Sequence, residues 1–482
     1  MPGTALDGRS LTADQVTALA RREALPAVDA DARRALDENR KLAAEATAHR
    51  PVYGHSTGVG ANRTATVSAE SAELFGMRLL RSHSGGIGPV VPDEEARAML
   101  AVRLNQLLAG GCAVQVGVVD RLAEALAGGH LPTVHALGAI GTGDLSALAE
   151  LGLTLAGERP WHGGTGEPPE PLRLTRWDAL PLISSSALTI GQTALAATDL
   201  GLLLDRLPLV AALTLTAVRG SGQPYAAYVH ERRPHAGAAA FSAWMRELLA
   251  DADWQPALVQ DPFGFRCLPQ VHGAALDARA SLDEVLAVEL NAAAENPLLE
   301  AAAATYHHHG GFHLARLGLA LDQYRLGLLG TAELSTSRLG VLVEPAFTGQ
   351  PPFLATAADG SSGVMIVEYA AQSALAELRG AAQPVTLGHA VISRGVEEHA
   401  SFASTGARRL RESVDHFRLV LACELVAAVR ALRMRGLRPP GGGELAAFYD
   451  RAAERLPSSV EDRNLTGDVE AAAALLSAPA PA

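Results

Sequence analysis

The chain has 482 residues, of which 48% are hydrophobic and 4% aromatic, so it can bury a large core. Its net charge of −12, with no basic run, argues against nucleic acid and anionic membranes as partners. Cys112, Cys267 and Cys423 are widely spaced and outside any CxxC pattern, which is typical of reduced thiols in a cytoplasmic protein. No signal peptide is expected, and no membrane span, because no apolar stretch reaches about 20 residues.

The N-terminal part of the chain alternates helical patterns with glycine-rich turns. Residues 1–60 combine short helical segments with Gly and Pro breaks, and they lead into the turn Tyr53–Arg63. Residues 67–130 carry long apolar faces at helical spacing. A second glycine-rich stretch, Leu137–Leu145, opens another helix and is followed by a polar loop, Glu158–Pro171.

The remainder of the chain, from about residue 178 to 437, is predicted to form successive long helices. They include His313–Leu334, Val364–Gly380 and Ala407–Arg435. Segments of this length and apolarity indicate helices that lie side by side in a bundle.

A Pro/Gly-rich break at Arg438–Gly443 separates this bundle from a short C-terminal piece. We therefore predict an N-terminal region at 1–180, a central helix bundle at 181–437, and a C-terminal segment at 438–482. The last residues, "SAPAPA", are predicted to be a disordered tail.

Three places along the chain favour chemistry over packing alone. Tyr53 precedes a glycine-rich loop, where a tyrosine is either a buried anchor or a base. His83 is expected at a helix end. Gly141-Thr142-Gly143 precedes Asp144, which suggests either an ordinary helix entry with Asp144 near the N-cap or an anion site. The stretch lacks a phosphate-loop motif.

Taken in order, these motifs resemble successive blocks of the histidine, tyrosine and phenylalanine ammonia-lyases and aminomutases, the aromatic amino acid lyase family. The blocks are "YGHSTGVG", "LLRSHSGGIG", "LGAIGTGDL", "RPHAG", "QDPFGFRCLPQV", "ELNAAAENPLL", "GGFH", "SSGVMI" and "EEHAS". The resemblance runs from about residue 50 to "EDRNLTGDV". It implies an all-α, L-aspartase/fumarase-like bundle of long helices with a smaller N-terminal loop-and-helix region. It also implies a homotetramer whose active sites draw residues from more than one subunit.

The resemblance further implies a prosthetic group made from an Ala-Ser-Gly tripeptide, the methylidene-imidazolone called MIO. Ammonia lyases need this electrophile because the β-proton is barely acidic and the amine leaves poorly, whereas a general base alone contributes about 10²–10⁴-fold. Here the block is one residue short, with Thr142 at the serine position and Gly141 at the alanine position. The triplet could still cyclise to an ethylidene, or it could remain plain peptide. We favour plain peptide and no cofactor, because such backbone chemistry depends on closely defined surroundings.

Other departures affect the same end of the reaction. Ser184 stands where the family has an Asn near the prosthetic group, and Phe263 stands where the family has a Tyr. Gly311 replaces the Asn that precedes Phe312, itself a candidate for substrate binding. The lost groups would serve the amine or the electrophile.

The retained residues match the substrate-holding part of the family site. The resemblance assigns Tyr53 as the base and Arg266 as the guanidinium that binds the substrate carboxylate, a bidentate task suited to Arg. Gln260 lies in the same block as Arg266. His83 matches a position that reads the substrate ring, and Glu397 matches a carboxylate facing the ring or amine. Thr142 and Gly143 complete the predicted catalytic set.

The sequence run "TYHHHGGFH" offers one alternative constellation, a metal site at His307, His308, His309 and His313. No Cys or carboxylate lies close by in sequence, so we favour a solvated loop and no metal.

The leading hypothesis for function is an MIO-independent β-elimination that cleaves a C–N bond. The substrate would be a small carboxylate, an aromatic, histidine- or tyrosine-like amino acid or its betaine. The family includes ergothionase, which expels trimethylamine from a histidine-derived betaine without MIO. The alternatives are isomerisation, dehydration or cyclisation of a biosynthetic intermediate, and a non-catalytic binding subunit.

Overall fold

The computed structural model describes residues 2–47, 51–356 and 360–479. Within them the chain is mostly helical, with a few two-stranded sheets, which confirms the all-α prediction. The helices are α1 (Ala13–Ala20), α2 (Ala30–Ala46), α3 (Ala69–His83), α4 (Asp93–Leu108), α5 (Val116–Gly128), α6 (Leu145–Leu155), α7 (Ala179–Ile183), α8 (Ala187–Val218), α9 (Ala227–Glu231), α10 (Ala236–Leu248), α11 (Phe263–Arg266), α12 (Leu268–Glu289), α13 (Ala315–Val343), α14 (Pro345–Thr348), α15 (Met365–Ala381), α16 (Ala403–Met434), α17 (Glu444–Arg455) and α18 (Thr466–Ser477). The strands are β1 (Gly3–Leu6), β2 (Leu25–Val28), β3 (Ile87–Val90), β4 (His130–Pro132), β5 (His135–Leu137), β6 (Trp161–Gly163), β7 (Leu298–Glu300) and β8 (Thr305–His307).

Local sequence explains where several helices begin and end. Helix α1 begins with a capping box in which Thr12 and Gln15 each accept a hydrogen bond from the other's backbone N–H. The Asp29 side chain caps α2. Helix α5 ends at Gly128 and is followed by Gly129, whose φ of 76° is the left-handed conformation that glycine adopts without strain.

Two compact units make up the chain. The first unit comprises Met1–Thr198, Leu282–Leu321 and Pro384–Arg408, and the second comprises the remaining three segments. Both units are therefore assembled from stretches that are distant in sequence. The predicted division of the chain into three consecutive regions, with boundaries at residues 180 and 437, stays a prediction.

The first unit combines helices with the small sheets. Helix α4 is buried along almost its whole length and packs against α1 and α5. Strands β1 and β2 pair in parallel, and β7 pairs with β8 antiparallel. Strand β5 pairs antiparallel with β3, with Ile87 opposite Leu137, and β5 ends at Leu137, the first residue of the glycine-rich stretch.

The second unit is held by a buried carboxylate shared among three long helices. Glu424 on α16 accepts two hydrogen bonds from Arg338 on α13, both at 2.7 Å. The hydroxyls of Thr214 on α8 and Ser335 on α13 donate to the same carboxylate at 2.8 and 2.6 Å. Each oxygen of Glu424 thus has two donors, and the helices lie side by side as the bundle prediction requires.

The predicted long helices are present with shifted ends. Helices α13, α15 and α16 cover most of the three predicted ranges. The predicted polar loop Glu158–Pro171 contains β6, which pairs with β4 through a contact that no local pattern encodes. Helix α18 ends at Ser477, and 480–482, the end of the predicted tail, lie outside the described residues.

One expectation about membranes was too strict. The helical stretch Ala179–Val218 is long and apolar enough to span a membrane, but 89% of its most apolar window is buried inside the protein, as in a core helix. The three cysteines are free thiols. Burial raises the pKa values of Cys112 and Cys423 to about 12, so both remain protonated at neutral pH.

Candidate active site

An open cavity of about 240 Å³ lies within the first unit. It brings together six residues that the sequence singled out: Tyr53, Thr142, Gly143, Ser184, Phe312 and Glu397. The other lining residues are Gly60, Arg63, Leu145, Leu180, Ser185, Asn296 and Val396. A mostly apolar cavity with a few convergent polar groups is the usual form of a small-molecule site.

The other predicted site residues are not in this lining. His83 lies in the last turn of α3, with Nδ1 2.9 Å from the Leu79 carbonyl oxygen and 3.1 Å from Ser82 Oγ. Gln260, Phe263 and Arg266 belong to the second unit. There the Arg266 guanidinium lies over the Phe263 ring at 5.1 Å. The roles of these four residues stay predictions.

Tyr53 is held by the loop that follows it. The backbone N–H of Gly60 donates a hydrogen bond of 2.7 Å to the Tyr53 hydroxyl oxygen, and the backbone N–H of Tyr53 donates to His308 Nε2 at 3.1 Å. Burial raises the pKa of the Tyr53 phenol above its usual value, and the Glu397 carboxylate raises it further. The Gly60 hydrogen bond and the Arg63 guanidinium act in the opposite direction.

The glycine-rich stretch is fixed from one side by the two residues that precede α16. The backbone N–H of Phe402 donates to the carbonyl of Ile140 at 2.9 Å, and Ser401 Oγ donates to the carbonyl of Gly141 at 3.1 Å. Within the described part of the chain, the backbone N–H groups of Thr142 and Gly143 have no hydrogen-bond partner.

The standard Ala-Ser-Gly triad does not fit this backbone. Gly141 has a φ of +90°, and a methyl group there would lie 2.0 Å from Ser401 Oγ and 2.9 Å from the backbone N of Phe402. Both separations are below van der Waals contact, and the second involves backbone that a side-chain rotation does not move. The carbonyl that ring closure would consume is also the one that accepts from Ser401.

Asp144 stands at the N-cap of α6, as the helix-entry interpretation predicts, but its side chain does not cap that helix. The carboxylate instead accepts hydrogen bonds from the backbone N–H and hydroxyl of Thr189 at 2.7 and 2.9 Å. Burial raises its pKa to about 6. Asp144 therefore joins the glycine-rich stretch to the first turn of α8.

A buried ion pair lies beside the cavity, next in sequence to the lining residue Asn296. Arg103 and Glu295 are joined at 2.8 Å and are almost fully buried. Arg103 Nε also donates to the carbonyl of Leu182 at 3.1 Å. Next to this pair, Ser184 Oγ accepts from the backbone N–H of Asn296 at 3.0 Å. Ser184 thus positions cavity backbone.

The four clustered histidines have separate partners. His307 contacts Glu300 at 2.7 Å, His309 Nε2 lies 2.7 Å from the Glu295 carbonyl oxygen, and His313 contacts His399 at 3.0 Å. With His308 held by the backbone of Tyr53, the run divides among four different neighbours.

Arg63 and Asn296 are among the polar lining residues that sequence reasoning missed. Both lie in stretches already singled out, Arg63 at the end of "YGHSTGVGANR" and Asn296 within "ELNAAAENPLL". The available signal was that each residue lies within a motif block that resembles the family.

The fold and this cavity together define a class, the helical lyases with an L-aspartase/fumarase-like bundle. The tyrosine aminomutase from Streptomyces globisporus superposes with a TM-score of 0.91 at 28% identity, covering 99% of this chain and 97% of that chain. Ergothionase from Treponema denticola, an ergothioneine-degrading enzyme, superposes with a TM-score of 0.89 at 26% identity, covering 98% of each chain. The fold prediction is confirmed.

The family follows from the sequence comparisons. The model of the aromatic amino acid lyases matches residues 11–454. The histidine ammonia-lyase of Anaeromyxobacter sp. (strain K) is 34% identical over 501 residues, covering 98% of each chain. This chain belongs to the aromatic amino acid lyase family, which confirms the resemblance found in its motifs.

Proposed function

We propose that this protein is a carbon–nitrogen lyase that performs β-elimination without MIO on a histidine- or tyrosine-like amino acid or its betaine. The observation that carries the proposal is the cavity that joins Tyr53 and Glu397 to a glycine-rich stretch which has no room for the alanine of the standard triad. The similarity of the chain to a histidine ammonia-lyase supports the reaction type, and its similarity to ergothionase supports the substrate class.

Tyr53 is the base in this mechanism. Its phenolate oxygen takes the β-proton, the electron pair of the broken C–H bond forms the C=C bond, and the pair of the C–N bond leaves with the amine. The Gly60 N–H donates to the Tyr53 oxygen and therefore stabilises the phenolate and fixes its direction. The raised pKa makes the phenolate a stronger base but reduces its population at neutral pH.

Glu397 and Phe312 hold the substrate. Phe312 offers an apolar ring surface in the cavity, and Glu397 orients a polar ring or a cationic amine. On the resemblance alone, we assign Arg266 to the substrate carboxylate. Gln260 and His83 are assigned to the remaining polar groups of the substrate on the same ground. We further propose a cytoplasmic homotetramer.

A good leaving group makes the reaction feasible without an electrophile. A quaternary ammonium group departs as a neutral tertiary amine. Unlike a primary ammonium group, it cannot lose a proton and become a poor leaving group, so the barrier to C–N cleavage falls. Betaines are therefore the favoured substrates, ahead of primary amines.

The test is the intact mass of the purified protein with a tryptic map across Leu137–Leu145, followed by turnover assays. We expect an unmodified peptide and formation of an unsaturated acid from a betaine of histidine or tyrosine. A mass deficit of two water molecules on that peptide would contradict the MIO-free mechanism. An isomer in place of the unsaturated acid would favour the alternative in which the fold has been adapted to rearrangement.

A further inference from the structure

A tight turn, Ser393–Gly395, connects two parts of the cavity lining. It is closed by paired backbone hydrogen bonds, from the Ile392 N–H to the Glu397 carbonyl at 2.9 Å and from the Glu397 N–H to the Ile392 carbonyl at 3.4 Å. Val396 and Glu397, which follow the turn, both line the cavity. The turn therefore fixes the backbone that carries the Glu397 carboxylate.

The same turn contacts the loop that follows Tyr53. Ser393 Oγ accepts a hydrogen bond of 3.2 Å from the backbone N–H of Ala61. The preceding loop residue, Gly60, has a φ of +54°, and a methyl group there would lie 2.9 Å from the same Oγ. The Ser393 hydroxyl thus lies against two consecutive loop residues, an approach that glycine permits because it has no Cβ.

Gly60 is also the residue that holds the phenol of Tyr53. Its backbone N–H donates to the Tyr53 hydroxyl oxygen at 2.7 Å. The peptide plane that joins Gly60 to Ala61 is rigid, so holding the Ala61 N–H limits the rotation of Gly60 about its own Cα. The direction of the Gly60 N–H therefore depends on the contact between Ala61 and Ser393.

The backbone of the turn is held in a costly conformation. Ser393 and Arg394 have φ values of +54° and +56°, which residues other than glycine rarely adopt. Such conformations persist where the surrounding structure requires them, and they are concentrated at functional sites. Here the conformation presents the Ser393 hydroxyl to the Tyr53 loop.

We propose that Ser393 is a positioning residue, which acts through the Ala61 N–H to keep the Gly60 N–H directed at the Tyr53 oxygen. Because the same turn carries Glu397, one backbone segment holds the base and the carboxylate. The inference rests on the proposed function in one respect, that Tyr53 is the base.

The experiment measures the pKa of Tyr53 in the purified full chain, without turnover. The chain has seven tyrosines, so labelling with 3-fluorotyrosine gives seven ¹⁹F resonances, and Tyr53→Phe identifies the one that belongs to Tyr53. Ser393→Ala should raise this pKa by about 0.5 unit, because the loop N–H then stabilises the phenolate less well. The other polar groups next to Tyr53, on Glu397, Arg63 and His308, are unchanged in the variant.

Ser393→Gly separates the effect of the hydroxyl from that of the backbone. It removes the hydroxyl and relieves the positive φ, so it should raise the pKa of Tyr53 as much as Ser393→Ala while melting at a higher temperature. Ser459→Ala is the matched control, because Ser459 Oγ also accepts a backbone N–H, from Glu461 at 3.3 Å, and lies outside the cavity. It should leave the pKa of Tyr53 unchanged.

Three results would overturn the proposal. The first is an unchanged pKa of Tyr53 in both Ser393 variants. The second is a shift in Ser393→Ala that Ser393→Gly lacks, since the backbone and not the hydroxyl would then be responsible. The third is an equal shift in Ser459→Ala, which would show a general effect of losing one serine hydroxyl.

Failure of the proposed function is read separately, by turnover. If Tyr53 is the base, Ser393→Ala should move the rising limb of kcat/KM to higher pH by the same 0.5 unit or so. Below the pKa, kcat should fall about threefold, the loss of phenolate for that shift, with KM within about twofold. A Tyr53→Phe variant that still turns over would refute the proposed function, whereas the ¹⁹F titration would still decide whether Ser393 positions the Tyr53 oxygen.

Discussion

Two buried glutamates, one in each unit, differ in how completely their carboxylates are paired. In the second unit, both oxygens of Glu424 are saturated by four donors from Arg338, Thr214 and Ser335. In the first unit, Glu295 receives one hydrogen bond from Arg103, and its second oxygen is buried with no partner in the described residues. Full pairing is what stability favours, and the incomplete pairing lies beside the cavity. Glu424 therefore belongs to a cluster that stabilises the fold, whereas Glu295 belongs to the surroundings of the cavity.

The largest expected effect is a loss of activity at the cavity that leaves the Glu424 cluster, and so the stability, unchanged. Tyr53→Phe removes the hydroxyl that takes the β-proton, so kcat/KM should fall by about 10²–10⁴-fold. Steady-state kinetics on the identified substrate measure the loss, and melting curves should show little change. Turnover close to that of the wild type would show that another group is the base.

Neutralising Glu424 and Glu295 in separate variants tests directly whether the two carboxylates differ in their contribution to stability. Glu424→Gln leaves Arg338 as an uncompensated buried charge and should lower the free energy of unfolding by about 3–5 kcal/mol. Glu295→Gln should cost less, about 1–3 kcal/mol, because Arg103 keeps its bonds to backbone carbonyls. Urea unfolding of both variants measures the difference. Equal losses would contradict the distinction between the two carboxylates.

The pH profile tests the charges around Tyr53. The active form is the phenolate, and its pKa is raised by burial, so kcat/KM should increase with pH towards that pKa. Glu397→Gln removes a charge that raises this pKa and should shift the rising limb to lower pH. Arg63→Gln removes a charge that lowers it and should shift the limb to higher pH. Shifts in the same direction would argue against Tyr53 as the titrating group. Arg9→Gln is the control, because Arg9 is exposed and lies outside the cavity, and it should leave the profile unchanged.

The smallest effect concerns the support of the glycine-rich stretch. Ser401→Ala removes one hydrogen bond to the Gly141 carbonyl and should cost about 0.5–1.5 kcal/mol of stability. Hydrogen exchange should report faster exchange in 138–143 than in the wild type. Ser68→Ala, which removes a hydrogen bond at the start of α3, is a control for the loss of one exposed contact. Faster exchange in both variants would show a general effect.

Sequence patterns predicted several residues of the candidate site, because motif order identifies a family and the members of a family share a fold. They placed Tyr53, Thr142, Ser184, Phe312 and Glu397, and the structure gathers these in one cavity. Arg63 was missed because an arginine after a glycine-rich loop resembles any solvated surface residue. Asn296 was missed because its contact with Ser184 joins positions far apart in the chain.

By itself, the amino-acid sequence determined the helical character, the family and the departure at Gly141-Thr142-Gly143, because composition, spacing and motif order are local properties. Only the tertiary structure decided that Asp144 turns from its own helix to Thr189, since a buried carboxylate takes the donors that packing brings near. It also decided that a methyl at residue 141 would meet Ser401, which is 260 residues away in the chain. Such contacts follow from how distant segments pack, and a local pattern does not contain them.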